Sequence, residues 1–267
     1  MAASIHPTAV VDPAATLGDG VAIGPLSVVG PNVELGDGVT LHSHVVVEGR
    51  SRIGDGTTIF PFASVGHIPQ DLKFGGETSR LLVGKGCTIR EHVTMSPGTK
   101  GGGMVTRVGD HCLFMVGAHV AHDCIIGNHV ILVNSATLGG HVEIGDHAFL
   151  GGLCAVQQFV RIGEHSFVGG MTGVEQDVIP YGMVVGERGH LCGLNLRGLR
   201  RRGFERSDIN AMRSAYRTLF GGEGEMAERI EAVAAEFGES GPVGQLIGFL
   251  RDTSGRSVLK PKLADAA

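Results

Sequence analysis

A six-residue repeat constrains this chain more than any other feature. A large apolar residue, most often aliphatic, recurs at every sixth position over residues 5–65, 83–95 and 108–174, and glycine often follows it, as in Ile144-Gly145. An α-helix would need a period of about 3.6 residues and an ordinary strand a period of about 2. The repeat therefore predicts a parallel β-helix.

Each hexad would supply one short strand and one corner, and three hexads would close a triangular coil. Successive coils would stack at about 4.8 Å, the spacing of neighbouring strands. The composition agrees with so thin a core, because the 267 residues include 44 glycines but no tryptophan. The glycines follow no Gly-X-Y period, which excludes collagen.

Two interruptions of the repeat predict loops that leave the coil, near residues 66–82 and 97–107. Loops on a rigid scaffold often carry binding residues. Beyond Pro180 the apolar spacing becomes helical, and Ser207 is the expected N-cap of the first of three helices. We therefore expect a β-helix over residues 1–190 and a C-terminal helical domain over residues 191–267.

The overall composition excludes several classes of protein. The net charge of −5 gives no preference for nucleic acid or membrane surfaces. No apolar run is long enough to span a membrane, and the N-terminus lacks the features of a signal peptide. The five cysteines form no CxxC pair and are odd in number, which suits reduced thiols. We expect a cytoplasmic protein.

A group of polar residues stands out against this repeat. If one coil holds eighteen residues, His122 lies in a column with Gly140 and Gln158, and His141 adjoins it. Asp123 follows His122 directly. A histidine base beside an unencumbered glycine N–H suits acyl transfer, since the base activates a hydroxyl and the N–H stabilises the oxyanion.

Two different interpretations of these histidines remain open. Many of the thirteen histidines occupy solvent-facing positions, where they need no function. The second interpretation is a metal site, because γ-class carbonic anhydrases bind zinc through histidines on a hexapeptide β-helix. Their two histidines are five residues apart, whereas His119 and His122 are three apart. We therefore expect no metal.

The hexads resemble those of the hexapeptide-repeat acyltransferases, which implies a left-handed parallel β-helix. More specific motifs resemble the bacterial UDP-N-acetylglucosamine acyltransferase family, which begins lipid A synthesis. They include QDLKF from Gln70, AHVAHDC from Ala118, LGGHV from Leu138 and GLNLRGLRRRGF from Gly193. The resemblance extends over almost the whole chain.

This resemblance implies a role for each matching residue. His122 would be the general base on the sugar 3-hydroxyl, Asp123 would orient it, and Gly140 would supply the oxyanion N–H. Gly170 would limit the length of the acyl chain, and its lack of a side chain implies a long one. The implied substrate-binding residues are Gln70, Asp71, Lys73, His119, His141, Gln158, Asn195, Arg201 and Arg202.

The resemblance further implies that an (R)-3-hydroxyacyl group passes from acyl carrier protein to UDP-N-acetylglucosamine. It implies a homotrimer with active sites between subunits and no cofactor. Eight arginines between residues 188 and 217 form a candidate surface for the acidic carrier protein.

Three departures from the family pattern concern the acceptor. Ser96 and Gln157 stand where many members have histidine, and Arg197 stands where some have glutamate. A UDP-sugar with a 3-amine is therefore a second candidate acceptor. The hexapeptide repeat is also compatible with two further functions, a coenzyme A-dependent acetyltransferase and a non-catalytic binding module.

Overall fold

The computed structural model describes residues 2–252 and 256–262, and within them short strands follow one another along the chain as far as Leu194. The strands in the first half are β1 (Ser4–Ile5), β2 (Val10–Val11), β3 (Thr16–Leu17), β4 (Ala22–Ile23), β5 (Val28–Val29), β6 (Glu34–Leu35), β7 (Thr40–Leu41), β8 (Val46–Val47), β9 (Arg50–Ile53), β10 (Thr58–Ile59), β11 (Ser64–Val65), β12 (Arg80–Val83), β13 (Thr88–Ile89) and β14 (Thr94–Met95). The strands in the second half are β15 (Val105–Val108), β16 (Leu113–Phe114), β17 (His119–Val120), β18 (Ile125–Ile126), β19 (Ile131–Leu132), β20 (Thr137–Leu138), β21 (Glu143–Ile144), β22 (Phe149–Leu150), β23 (Ala155–Val156), β24 (Arg161–Ile162), β25 (Phe167–Val168), β26 (Gly173–Val174), β27 (Gly182–Val185) and β28 (His190–Leu194).

Within the described residues, three sheets form the sides of a prism, and every strand pair except β27–β28 is parallel. Sheet A begins β1-β4-β7 and continues to β27 and β28, sheet B runs from β2 to β26, and sheet C runs from β3 to β24. Register partners in regular coils are eighteen residues apart, as in the pairing of His119 with Thr137. The predicted parallel β-helix, with one corner per hexad, is confirmed.

The repeated apolar residues fill the centre of the prism. In nearly every two-residue strand the second residue is buried and the first lies on the outer surface. Phe114 is the largest side chain in this central column and is fully buried. This division of inner and outer positions places the polar residues of each strand on the outside, where a site can form.

Both excursions are shorter than the interrupted repeat predicted. Strand β12 already begins at Arg80 and β15 at Val105, so the loops cover residues 66–79 and 97–104. Ile53 pairs with Val83, thirty residues later, so the first loop adds twelve residues to a coil of eighteen. Twelve residues equal two hexads, which explains why the sequence register continued across the loop.

In the described residues, four helices follow the prism: α1 (Leu196–Arg201), α2 (Arg206–Gly221), α3 (Met226–Phe237) and α4 (Gly241–Arg251). The apolar positions predicted for the three longer helices are largely buried, including Met212, Val233 and Leu246. The N-cap prediction was wrong, because Glu205 precedes α2 and Ser207 lies inside the helix. The short helix α1 was not predicted.

The division into domains at residues 190 and 191 stays a prediction. The antiparallel pair β27–β28 lies across this boundary and joins the end of the prism to the helices. None of the helices in residues 2–252 and 256–262 is long and apolar enough to cross a membrane.

Candidate active site

His122 and Asp123 occupy the corner between strand β17 of sheet B and strand β18 of sheet C. Asp123 has a left-handed backbone with φ of 59°. The His122 Nδ1 lies 2.9 Å from Asp123 Oδ2. Since an ionised carboxylate only accepts hydrogen bonds, Nδ1 donates and Nε2 keeps its lone pair. That tautomer is the one a general base needs.

The second excursion encloses the carboxylate of Asp123, whose side chain is only 1% exposed. The Thr99 N–H donates to Oδ1 at 2.9 Å, and the Thr99 hydroxyl donates to Oδ2 at 2.6 Å. The Thr106 hydroxyl accepts the Asp123 N–H at 2.8 Å. A Cβ on Gly102 would lie 2.1 Å from the carboxylate carbon, so only glycine fits there. Hydrogen bonds thus stabilise a buried charge.

Gly140 lies directly against the His122 ring. A Cβ at this position would lie 2.4 Å from Cε1 and 2.7 Å from Nε2 of His122. The Gly140 N–H donates no hydrogen bond within the described ranges 2–252 and 256–262. The His122 ring is therefore in contact with a residue whose amide N–H is unpaired, and acyl transfer requires a base and such a donor.

His141 forms the other side of the corner that holds His122 and Asp123, the candidate catalytic corner. Its ring meets the His122 ring edge-on, with 5.0 Å between centroids, and stacks on Phe159 at 4.3 Å. Burial is the main reason that the pKa of His141 is lowered, and the charge of Asp71 acts in the opposite direction. The first excursion, which carries Asp71, therefore lies within electrostatic range of His141.

His119 projects from sheet B beside the catalytic corner. Its Nδ1 and the Thr94 hydroxyl share a hydrogen bond of 2.7 Å. Burial lowers the pKa of His119, and the neighbouring His122 contributes in the same direction. His119 is therefore a neutral polar group next to the base.

Three other predicted substrate contacts are exposed, one in the coil above Gly140 and two on the first excursion. Gln158 is exposed and belongs to the coil above Gly140. Gln70 and Lys73 are exposed on the first excursion, where the Lys73 N–H donates to the Asp71 carboxylate at 3.0 Å. Their role in substrate binding stays a prediction.

Asn195 and Arg202 lie at a different corner, between sheets C and A. The Asn195 side chain caps α1 through the Gly198 N–H and donates to the His165 carbonyl at 2.9 Å. Arg202 donates to the His147 carbonyl at 2.8 Å, and burial lowers the pKa of its guanidinium. The structure therefore does not bring these residues to His122 within one chain.

A small pocket of about 240 Å³ forms at this second corner. It is lined by Phe149, Phe167, Asn195, Arg197, Gly198, Arg201 and Arg202. Aromatic faces beside guanidinium groups are a suitable environment for a base and its phosphates.

Gly170 lies at the third corner, between sheets A and B. A Cβ there would lie 3.1 Å from the Gly152 carbonyl oxygen, and otherwise only the Gly152 nitrogen lies within 4 Å. The outward positions of sheet B between the catalytic coil and Gly170 are Thr137, Ala155 and Gly173. These side chains become smaller along the prism, and we call this outer face of sheet B the trough.

The sequence did not identify Thr99, Thr106 or Phe159 as part of the site. The glycines around Thr99 were a signal, because glycine is often required where backbone closes around another group. Thr106 was a second signal, since it puts a hydroxyl into an otherwise apolar inward position.

The corner also holds three potential metal ligand atoms within 4.8 Å of one another, one each from His122, Asp123 and His141. Two of these residues already bind each other, because His122 Nδ1 lies 2.9 Å from Asp123 Oδ2.

The fold and the site together define a hexapeptide-repeat acyltransferase. A family model described as bacterial transferase hexapeptide matches residues 14–49 and 106–140. A second model, described as UDP N-acetylglucosamine O-acyltransferase domain 2, matches residues 177–259.

Curated relatives identify the family more closely. The acyl-[acyl-carrier-protein]–UDP-N-acetylglucosamine O-acyltransferase of Azorhizobium caulinodans is 51% identical over 96% of this chain and 94% of its own. The enzyme of the same name from Methylobacterium radiotolerans is 64% identical over 76% of this chain and 75% of its own. This chain belongs to the UDP-N-acetylglucosamine O-acyltransferase family.

Solved structures agree with this assignment. The LpxA structure from Acinetobacter baumannii has a TM-score of 0.93 and 40% identity, and covers 96% of this chain and 99% of its own. The UDP-N-acetylglucosamine acyltransferase of Campylobacter jejuni has a TM-score of 0.91 and 37% identity, with coverage of 96% and 99%. The fold class is accordingly the left-handed parallel β-helix with a C-terminal helical part.

Proposed function

We propose that this chain transfers an (R)-3-hydroxyacyl group from acyl carrier protein to the 3-hydroxyl of UDP-N-acetylglucosamine, the first step of lipid A synthesis. The observation that carries the proposal is the His122 ring, oriented by Asp123 and in contact with Gly140. The names of the relatives supply the donor and the acceptor.

The mechanism follows from the two groups at the corner. His122 Nε2 removes the proton from the sugar hydroxyl as its oxygen attacks the thioester carbonyl. The Gly140 N–H donates to the resulting oxyanion, and its collapse breaks the carbon–sulfur bond. The departing thiolate takes the proton from His122. A positioned base contributes about 10²–10⁴-fold, and one oxyanion donor about 10²–10³-fold.

The acyl chain is assigned to the trough on sheet B. The outward side chains Thr137, Ala155 and Gly173 lead from the catalytic coil towards Gly170, and none of them would obstruct an extended chain. A glycine at position 170 leaves the end of this trough open. We therefore propose a long hydroxyacyl group as the preferred donor.

A homotrimer would unite the two separated corners. On sheet A the outward residues Leu113, Ile131, Phe149, Phe167 and Met183 form one apolar column. On sheet C the corresponding outward residues are Ile125, Glu143 and Arg161, two of which are charged. Burial of the sheet A column against a second copy would place the Asn195 corner of one subunit beside the His122 corner of another.

Subunit association can be tested directly. Ile131→Glu puts a charge at the centre of the apolar column and should give monomers in light scattering, with transfer activity lost. A fully active monomer would exclude the shared site.

The donor would dock on the arginines of α1 and α2. Six of them are exposed, namely Arg197, Arg200, Arg201, Arg206, Arg213 and Arg217. Acyl carrier protein is acidic, so these charges would increase the rate of association.

The four buried thiols among the five free cysteines suit a reducing compartment, and we place the reaction in the cytoplasm.

A mass-spectrometric competition tests the reaction. The protein would receive (R)-3-hydroxyacyl carrier proteins of several lengths, together with UDP-N-acetylglucosamine and its 3-amino analogue. We expect an ester of the first sugar, and we expect His122→Ala to lower turnover at least about a hundredfold. If an amide is the main product, the acceptor is the 3-amino sugar, and Ser96, Gln157 and Arg197 would mark this change of acceptor.

Two results would refute the proposal. Transfer from acetyl-coenzyme A but not from acyl carrier protein would identify a different acyltransferase. Substrate binding without turnover would identify a binding module.

A further inference from the structure

A second cavity lies on the outer face of sheet C, away from the catalytic corner. Its volume is about 450 Å³. Its lining includes Thr16, Glu34, Arg50, Arg52, Arg80 and Leu82. This cavity lies on the first coils of the prism, whereas His122 lies on a coil further along the prism axis.

Three arginines of this cavity project in the same direction. In β9 the outward residues Arg50 and Arg52 alternate with the buried residues Ser51 and Ile53. Arg80 begins β12 and is the direct register partner of Arg50. Neighbouring strands lie about 4.8 Å apart, so two guanidinium groups can reach the same anion.

The protein itself only partly balances this charge. Arg52 lies 3.9 Å from Glu34, and both side chains are mostly exposed, which makes this a weak pair. In the part of the chain that the structure describes, neither Arg50 nor Arg80 forms an ion pair with a carboxylate. Like charges on adjacent strands repel each other, and a bound anion would relieve that repulsion.

We propose that this cavity is a binding site for a phosphate-bearing anion, with Arg50 and Arg80 on one phosphate and Arg52 beside it. The guanidinium fork matches phosphate oxygens with two parallel N–H bonds. A diphosphate suits the site best, because three cationic groups surround it. This site is separate from the pocket at Arg201 and Arg202.

The strand that carries Arg80 also holds the loop around Asp123. The Arg80 N–H donates to the Met104 carbonyl at 2.9 Å, and the Arg80 carbonyl accepts the Gly98 N–H at 3.3 Å. An anion on Arg80 would therefore bind next to the two ends of the second excursion, which suits an effector of the catalytic corner.

Calorimetric titration with pyrophosphate tests the proposal. Saturating UDP-N-acetylglucosamine would be present to occupy the diphosphate subsite of the proposed function, and Arg201→Ala/Arg202→Ala would remove that subsite independently. We expect pyrophosphate to bind in both cases, and at least tenfold more weakly to Arg50→Ala/Arg80→Ala.

Arg90→Ala is the matched control. Arg90 lies on the same prism, but it pairs with Glu91 at 2.9 Å and stacks over Phe60. This variant should bind pyrophosphate as the parent does. A titration with ADP distinguishes a nucleotide from free diphosphate: tighter binding of ADP than of pyrophosphate assigns the anion to a nucleotide.

Two outcomes overturn the proposal. One is a parent protein that binds neither anion when the active site is filled. The other is equal binding by the parent and by a correctly folded Arg50→Ala/Arg80→Ala variant, as judged by its thermal unfolding.

Discussion

Replacing Gly140 with alanine tests the contact on which the catalytic corner depends. The new methyl group would lie 2.4 Å from His122 Cε1, much closer than van der Waals contact allows. The backbone can accept alanine, because Gly140 does not have a positive φ. The imidazole must therefore move while the coil remains intact.

The expected loss can be estimated from the role of the base. A positioned general base contributes about 10²–10⁴-fold, which corresponds to about 2.7–5.4 kcal/mol of barrier at about 1.36 kcal/mol per tenfold. We expect Gly140→Ala to lower the turnover number by most of this factor. The unfolding temperature should change little.

A double-mutant cycle shows whether the loss acts through the ring. In a His122→Ala background the methyl group has no imidazole to displace, so adding Gly140→Ala should cost much less than it does in the parent. Gly101→Ala is the control within the second excursion, since its nearest contact would be an ordinary 3.9 Å. Equal losses in both backgrounds, or a fully active Gly140→Ala enzyme, would refute the reasoning.

Three further predictions concern the surroundings of the site. Thr99→Val removes the hydroxyl donor at 2.6 Å from Asp123 and should lower turnover about tenfold, whereas Thr99→Ser should retain it; equal rates would contradict the role. Gly170→Met should shift the preferred donor to shorter acyl chains in the same mass-spectrometric assay, and unchanged selectivity would remove this residue as the length limit. Burial lowers the pKa of His165 to about 4, helped by the charges of His147 and Arg202. The unfolded chain, with a histidine pKa of about 6.5, then binds more protons, so the free energy of unfolding should fall as pH falls from about 6.5 to 4. For this half-buried ring we expect a loss of about 1 kcal/mol after allowance for solvent screening, and His165→Phe should show a weaker pH dependence in thermal unfolding.

The sequence could place His122 beside Gly140 because no insertion separates the coils that follow. Between residues 108 and 174 every coil holds eighteen residues, so counting along the chain gives position along the prism. His141 was found in the same way. A strict repeat therefore converts sequence separation directly into distance.

The same counting could not find the contact between Thr99 and Asp123. The second excursion adds seven residues to its coil, since Val83 pairs with Val108, twenty-five residues later. Seven is not a multiple of six, so the repeat says nothing about where the loop lies. The start of α2 was missed for a related reason: its first helical bond runs from Ile209 to Glu205, with no side-chain cap to mark it.

The irregular loop supplies the surroundings that a general base at the regular corner would need. A coil of two-residue strands offers only exposed corners, where the Asp123 carboxylate would be hydrated and free to rotate. The excursion buries that carboxylate and supplies three hydrogen bonds from Thr99. Because the remaining bond goes to His122 Nδ1, the loop fixes both the tautomer and the plane of the base. Shortening the loop to a regular corner should therefore leave a folded prism with an unoriented, inactive histidine.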